Sequence, residues 1–215
     1  MLLVGLHDAE RDHMPNKTFP NFALMKISAY HKSRGDSVNW WTPILSNSYD
    51  IVYSSKVFSF TPENRYLPAN AIKGGTGYGL FHKLPKEIEK FVPDYDIYPK
   101  CNYRIGFITR GCNNKCEWCI VPKKEGRIKP YSDYGDTLHG SYRYHQRNSH
   151  VFMDNNILQS EYGIEQLAKM TKIHKSYKID FNQGLDCRLV TPEIADILSK
   201  ISWTRYIRFS CDTKV

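Results

Sequence analysis

Three cysteines stand within one short stretch, Gly111-Cys112-Asn113-Asn114-Lys115-Cys116-Glu117-Trp118-Cys119. Iron–sulfur clusters are held by cysteine thiolates supplied at such short spacings. A structural zinc site takes four protein ligands, commonly as two separated pairs. Three grouped thiols would leave one iron of a four-iron cluster free of protein, and an open iron is what makes such a site chemically useful. The other reading is a zinc loop that recruits Cys101 or a histidine as fourth ligand. The remaining cysteines, Cys101, Cys187 and Cys211, are scattered and read as small buried side chains. Structural disulfides are not expected among the six, because thiols stay reduced in the cytoplasm.

Further polar groups follow apolar runs. Asp154-Asn155-Asn156 comes at the end of Val151–Met153, and Gln183, Asp186 and Arg188 come just past Ile179–Phe181. Ser210 closes the run that starts at Tyr206. The planar fork of Arg188 can bond a carboxylate at two points. Asp186 and Arg188 could instead pair with each other, and Asn156 could belong to an Asx-rich turn.

The elements that would position these residues alternate between strand and helix. Leu2–Leu6, Val38–Trp41, Ile51–Phe58 and Ala71–Ile72 read as strands, with a helix opening after Pro20 and Asn21 and closing at Gly35. Pro85–Phe91 reads as a short helix, and Val92–Asn102, with Pro93 and Pro99, as a linker. A second series follows: a strand over Arg104–Thr109, the cysteine loop, and an irregular, basic, Tyr-rich stretch over Val121–His150. Strands over Val151–Met153, Lys178–Phe181 and Tyr206–Ser210 then alternate with helices over Tyr162–His174 and Thr191–Ile201, the latter with Thr191 as N-cap and Pro192 in its first turn. The pattern is that of an α/β protein with parallel sheets, divided into residues 1–98 and 99–215.

The Cys-x3-Cys-x2-Cys spacing, directly after a strand and with aromatic Trp118 before the last cysteine, resembles the radical S-adenosylmethionine superfamily. The resemblance implies a 4Fe-4S cluster on Cys112, Cys116 and Cys119 whose open iron chelates S-adenosylmethionine. Reductive cleavage would then give a 5′-deoxyadenosyl radical that acts on an unidentified substrate, with a reductant such as flavodoxin or ferredoxin as partner. It also implies cofactor contacts from Trp118, Asp154, Asn155, Asn156, Gln183, Asp186, Arg188 and Ser210. Many members carry Gly-Gly-Glu after the second strand. Asp154-Asn155-Asn156 resembles instead the pattern of members with an N-terminal cobalamin-binding-like domain, and Gly74-Gly75-x-Gly77 is similar to a glycine turn of that domain. Its Asp-x-His-x-x-Gly motif is absent, and His7, His13 and His31 have other neighbours, so cobalamin is not expected. The implied fold is a small, degenerate Rossmann-like layer over 1–98 followed by an incomplete parallel (β/α) TIM-type barrel over 99–215. Four strands from Tyr103 onward make part of such a barrel, so a partner chain or self-association is expected to complete it. A catalytically silent truncated relative is the competing reading.

A chain of 215 residues with 41% hydrophobic and 24% charged residues is globular in composition. Its net charge of +8 gathers at Lys123, Lys124, Arg127 and Lys129 and again at Lys169, Lys172, Lys175 and Lys178. Such charge admits an RNA-binding module stabilised by zinc or a cluster as an alternative, but suits a solvated face better, and nucleic acid is not favoured. Met1–Leu6 is apolar but meets Asp8, Glu10 and Asp12 at once, unlike a signal peptide, and no stretch is long enough to span a bilayer. The expected location is cytoplasmic, away from membranes.

Overall fold

Leu3–Asp8 (β1) runs inside the first sheet and is buried from Val4 onward, first by apolar residues and then by His7 and Asp8, as a strand covered on both faces requires. The structure, a computed structural model, describes residues 1–14, 19–139 and 148–211. It divides into two compact units, Met1–Cys101 and Asn102–Val215. Both are α/β with parallel sheets.

In the first unit, β1 is followed by the short helix α1 (Ala9–His13) and by α2 (Phe22–Ser33). Strands β2 (Ser37–Trp40), β3 (Ile51–Ser55) and β4 (Ile72–Gly74) complete a parallel sheet of order β2-β1-β3-β4. Helix α3 (Lys86–Glu89) follows. The Asn21 side chain caps α2 by accepting the Leu24 N–H at 3.2 Å. That helix lays Leu24 and Ile27 against Val4 and Leu6, with Ile88 from α3 in the same cluster. Each such side chain contributes roughly 1.5–3 kcal/mol by leaving water.

In the second unit, β5 (Arg104–Gly106), β8 (Ser149–Phe152) and β9 (Lys178–Phe181) form a parallel sheet in the order β5-β8-β9. Between β5 and β8 lie β6 (Thr109–Arg110), α4 (Val121–Lys124), β7 (Lys129–Pro130) and α5 (Tyr134–His139). The stretch expected to be irregular thus contains three short elements and the first two residues of β8, and its residues 140–147 lie outside the described residues. After β8 come α6 (Glu161–Met170), β9, β10 (Leu185–Asp186), α7 (Pro192–Lys200) and β11 (Phe209–Ser210). Ser160 caps α6 through the Gly163 N–H, and Thr191 caps α7 through the Ile194 N–H. Both helices press apolar stripes, Leu167 and Met170 from one and Ile194 and Leu198 from the other, onto Phe152, Ile179 and Phe181.

All the strands but Lys178–Phe181 shift by one to three residues from their sequence-based bounds, and two of these differences bear on the site. The run Arg104–Thr109 breaks after Gly106, because the Ile108 and Thr109 N–H groups turn to the Asp154 carboxylate instead of a neighbouring strand. The last strand is shorter than Tyr206–Ser210 and pairs with β10, not β9. Gly184, at φ +82°, turns the chain between β9 and β10. Ile179 still bridges Trp203, and Leu185 pairs with Phe209, the same offset of 24 residues in each case. The fourth segment therefore follows the third in one register, interrupted in the middle. Among the described residues, no helix is long and apolar enough to cross a membrane.

Candidate functional site

The cysteine loop is closed at its base before any ligand is considered. β6 pairs antiparallel with β7, Thr109 opposite Pro130 and Arg110 opposite Lys129. Arg110 grips Glu125 with two parallel bonds, Nε to Oε2 at 3.0 Å and Nη2 to Oε1 at 2.5 Å. Burial pushes the Glu125 carboxyl up, but the Arg110 guanidinium outweighs it and holds the group below the usual carboxylate range. Gly111 then turns at φ +92°, and a Cβ there would stand 2.4 Å from the Arg127 carbonyl oxygen. Only glycine suits both the left-handed backbone and that approach. The Gly111 N–H donates to Asn155 Oδ1 at 3.2 Å, and the Cys112 N–H donates to the Gly126 carbonyl at 3.1 Å.

Cys112, Cys116 and Cys119 all line one open cleft, which encloses about 460 Å3 including space open to solvent. Asn155, Asn156, Asp186, Arg188 and Ser210 line it as well. Burial pushes the Cys112 thiol up, while the Asn114 N–H at 3.4 Å and Asn156 Nδ2 at 3.9 Å point at its sulfur and favour the thiolate. Donors of this kind tune sulfur ligands. Among the described residues, no three His, Cys, Asp or Glu side chains converge closely enough to hold a single metal ion.

Asp186 organises the polar lining. Arg188 donates to it from Nε at 2.8 Å and from Nη2 at 2.6 Å, so the two form an ion pair within the cleft wall. Asn114 Nδ2 and Asn156 Nδ2 donate to Asp186 Oδ2 at 3.2 and 3.1 Å. Held first by Arg188 and then by these amides, Asp186 stays ionised well below the usual carboxylate range.

Three of the residues singled out from the sequence lie elsewhere. Asp154 is 1% exposed. Its carboxylate is taken up by the Ile108 N–H, the Thr109 N–H and the Thr109 hydroxyl, the last at 2.7 Å. It braces the backbone that enters the cysteine loop and does not line the cleft. Burial pushes its pKa up to about 6 against those donors. Gln183 is exposed, in the turn that Gly184 makes, and Trp118 is 68% exposed; neither lines the cleft. Conversely, Asn114 lines the cleft, and Gln159 supports it. Gln159 accepts the Asn113 N–H at 2.7 Å, and its Nε2 donates to Asn114 Oδ1 at 2.7 Å. Asn114 sits inside the cysteine motif and could have been read there. Gln159, in the short turn Ile157–Gln159, carries no signal in the sequence.

The scattered cysteines also divide. Cys101 is 3% exposed, as a small core residue should be, whereas Cys187 is half-buried and Cys211 exposed.

No protein-family model and no curated protein matches the sequence. Four solved chains match the fold. One of them is described as the cobalamin-dependent S-adenosylmethionine radical enzyme OxsB with aqua-cobalamin and S-adenosylmethionine bound. It is similar over 93% of this chain at 14% identity, with a TM-score of 0.55, and this chain spans 42% of its length. The likeness is one of fold: the α/β arrangement described above resembles that of a radical S-adenosylmethionine enzyme.

Proposed function

We propose that the second unit binds a 4Fe-4S cluster through Cys112, Cys116 and Cys119, binds S-adenosylmethionine beside it, and acts as a radical enzyme on an unidentified substrate. The observation that carries this reading is the shared cleft: three thiols together with Asn156, Asp186, Arg188 and Ser210, in a fold similar to that of a radical enzyme. The donor set fits the group, because three thiolates leave one metal position for a second ligand and the cleft they line is open to solvent. When bound and reduced, such a cluster supplies the electron that cleaves the sulfonium of S-adenosylmethionine to a 5′-deoxyadenosyl radical.

The chain's own residues bind and orient. The Asn114 N–H and Asn156 amide steady the Cys112 sulfur. Arg188, aligned by Asp186, presents its guanidinium at the cleft, where the carboxylate of an amino-acid ligand would be recognised. Ser210 offers a hydroxyl from the end of β11. Outside, the stretch that carries exposed Trp118 and Ile120 also carries exposed Lys115, Lys123, Arg127 and Lys129 against one exposed acid, Glu117. That surface suits an acidic one-electron donor of the flavodoxin or ferredoxin type. The wider reading of the fold is a partial TIM-type barrel in the second unit and a Rossmann-like layer in the first. The parallel order β2-β1-β3-β4 supports the latter, since it begins a doubly wound sheet.

The similar structure is described with aqua-cobalamin bound, and that likeness gives no support to an absence of cobalamin here. What supports it lies in the side chains: His7 is 3% exposed and bonded to Ser54 and Asp12, and buried His31 is bonded to Asp36 and Tyr53. Incubation with hydroxocobalamin should leave no corrinoid absorption on the repurified protein, and retained absorption would overturn this part.

Anaerobic reconstitution with iron and sulfide tests the main reading. Four irons and four sulfides per chain are expected, with 5′-deoxyadenosine released on reduction in the presence of S-adenosylmethionine. Cys112→Ala should strip the iron and Cys101→Ala should not. One retained zinc in place of iron would sink the proposal.

A further inference from the structure

The parallel pairing of β10 with β11 sets Leu185 opposite Phe209 and Asp186 opposite Ser210. The next residues on the two segments are Cys187 and Cys211. Neighbouring strands lie ~4.8 Å apart, and a disulfide spans Cα separations of roughly 4.4–6.8 Å, so the backbone spacing already suits a bond. The side chains agree, because the nearness of the Cys211 thiol pushes the Cys187 thiol up. Access agrees too: Cys211 is exposed and Cys187 half-buried. From this geometry we propose that Cys187 and Cys211 form a redox-active dithiol at the edge of the cleft, a modification site that low-molecular-weight disulfides close reversibly.

The steps balance without any other group. The Cys211 thiolate attacks a sulfur of the small disulfide; one new S–S bond forms, the old one breaks, and one small thiolate leaves and takes up a proton. The Cys187 thiolate then attacks Cys211 Sγ in that mixed disulfide, forming the internal bond and expelling the second small thiolate, which is protonated in turn. Two protein thiols are oxidised and one small disulfide is reduced to two thiols. Cys211 acts first because it is the exposed member, and Cys187 resolves because the strand register sets it beside Cys211. A reducing thiol pool reverses the sequence, as expected for an exposed bond. Closure would staple the turn after β10 to the end of β11, next to Asp186, Arg188 and Ser210 of the cleft lining. The pair is separate from the cysteine loop and does not rest on the cluster assignment.

Peptide mapping of the full chain tests it. The reduced protein is incubated with oxidised glutathione, quenched with N-ethylmaleimide and digested. The expected product is a peptide pair joined through Cys187 and Cys211, which dithiothreitol separates. In Cys187→Ser, Cys211 should instead carry glutathione. The joined pair should also form in a Cys112→Ser/Cys116→Ser/Cys119→Ser chain, so that loss of the cluster reading and loss of this one are told apart. Wild-type protein in which both cysteines end as maleimide adducts, each holds glutathione, or Cys211 is joined to a loop cysteine would overturn the proposal.

Discussion

Asp154 shows how one buried side chain can govern both a loop and a pH profile. Its carboxyl sits at about 6 in the folded protein, against about 3.9 when unfolded. A raised value means that the folded state favours the proton. The contribution is full below about pH 4, where both states are protonated, and is lost as the pH rises through about 6. Wild-type protein should therefore lose up to ~3 kcal/mol relative to Asp154→Asn over that window, read as urea midpoints at each pH. Parallel profiles for the two proteins would show that Asp154 does not titrate there. Asp186 makes a different forecast, because it holds Arg188, Asn114 and Asn156 together. Asp186→Asn removes the charge that aligns the guanidinium and should weaken S-adenosylmethionine binding about tenfold on the reconstituted protein by calorimetry. Unchanged affinity would take this network out of the site.

At the scale of elements, the turn at Gly111 is the point on which the cysteine loop depends. Gly111→Ala forces a Cβ against the Arg127 carbonyl at a positive φ and should cost ~2 kcal/mol or more. The readout is a lowered urea midpoint together with reduced iron retention, and a midpoint equal to wild type would refute the steric argument. Much of this level was legible in the sequence. Lys178–Phe181 forms a strand with the expected bounds, and Thr191-Pro192 announces a helix that does begin there. Short-range patterns of apolar residues and caps suffice for such elements. What escaped reading depends on distant groups. Asp154 looks like one more polar residue at a strand end, and only the two N–H groups left over when β5 stops draw it inward. Gln183 follows β9 as its position in the sequence suggests, but it is exposed, next to the turn at Gly184. Cys187 and Cys211 become a pair only through the register of β10 on β11.

At the scale of the whole molecule, the cysteine loop draws its bracing from strands and side chains of the second unit alone. The closed base of the cysteine loop has a consequence of its own. The β6–β7 pair, the two-point grip of Arg110 on Glu125 and the Gly111 turn involve none of the three cysteine sulfurs. If the proposed cluster is bound there, loading iron would be assembly on a braced template rather than folding around a nucleus. Far-ultraviolet circular dichroism and the thermal unfolding enthalpy should barely change between the apo and loaded states, in contrast to small zinc domains, whose apo chains are unfolded.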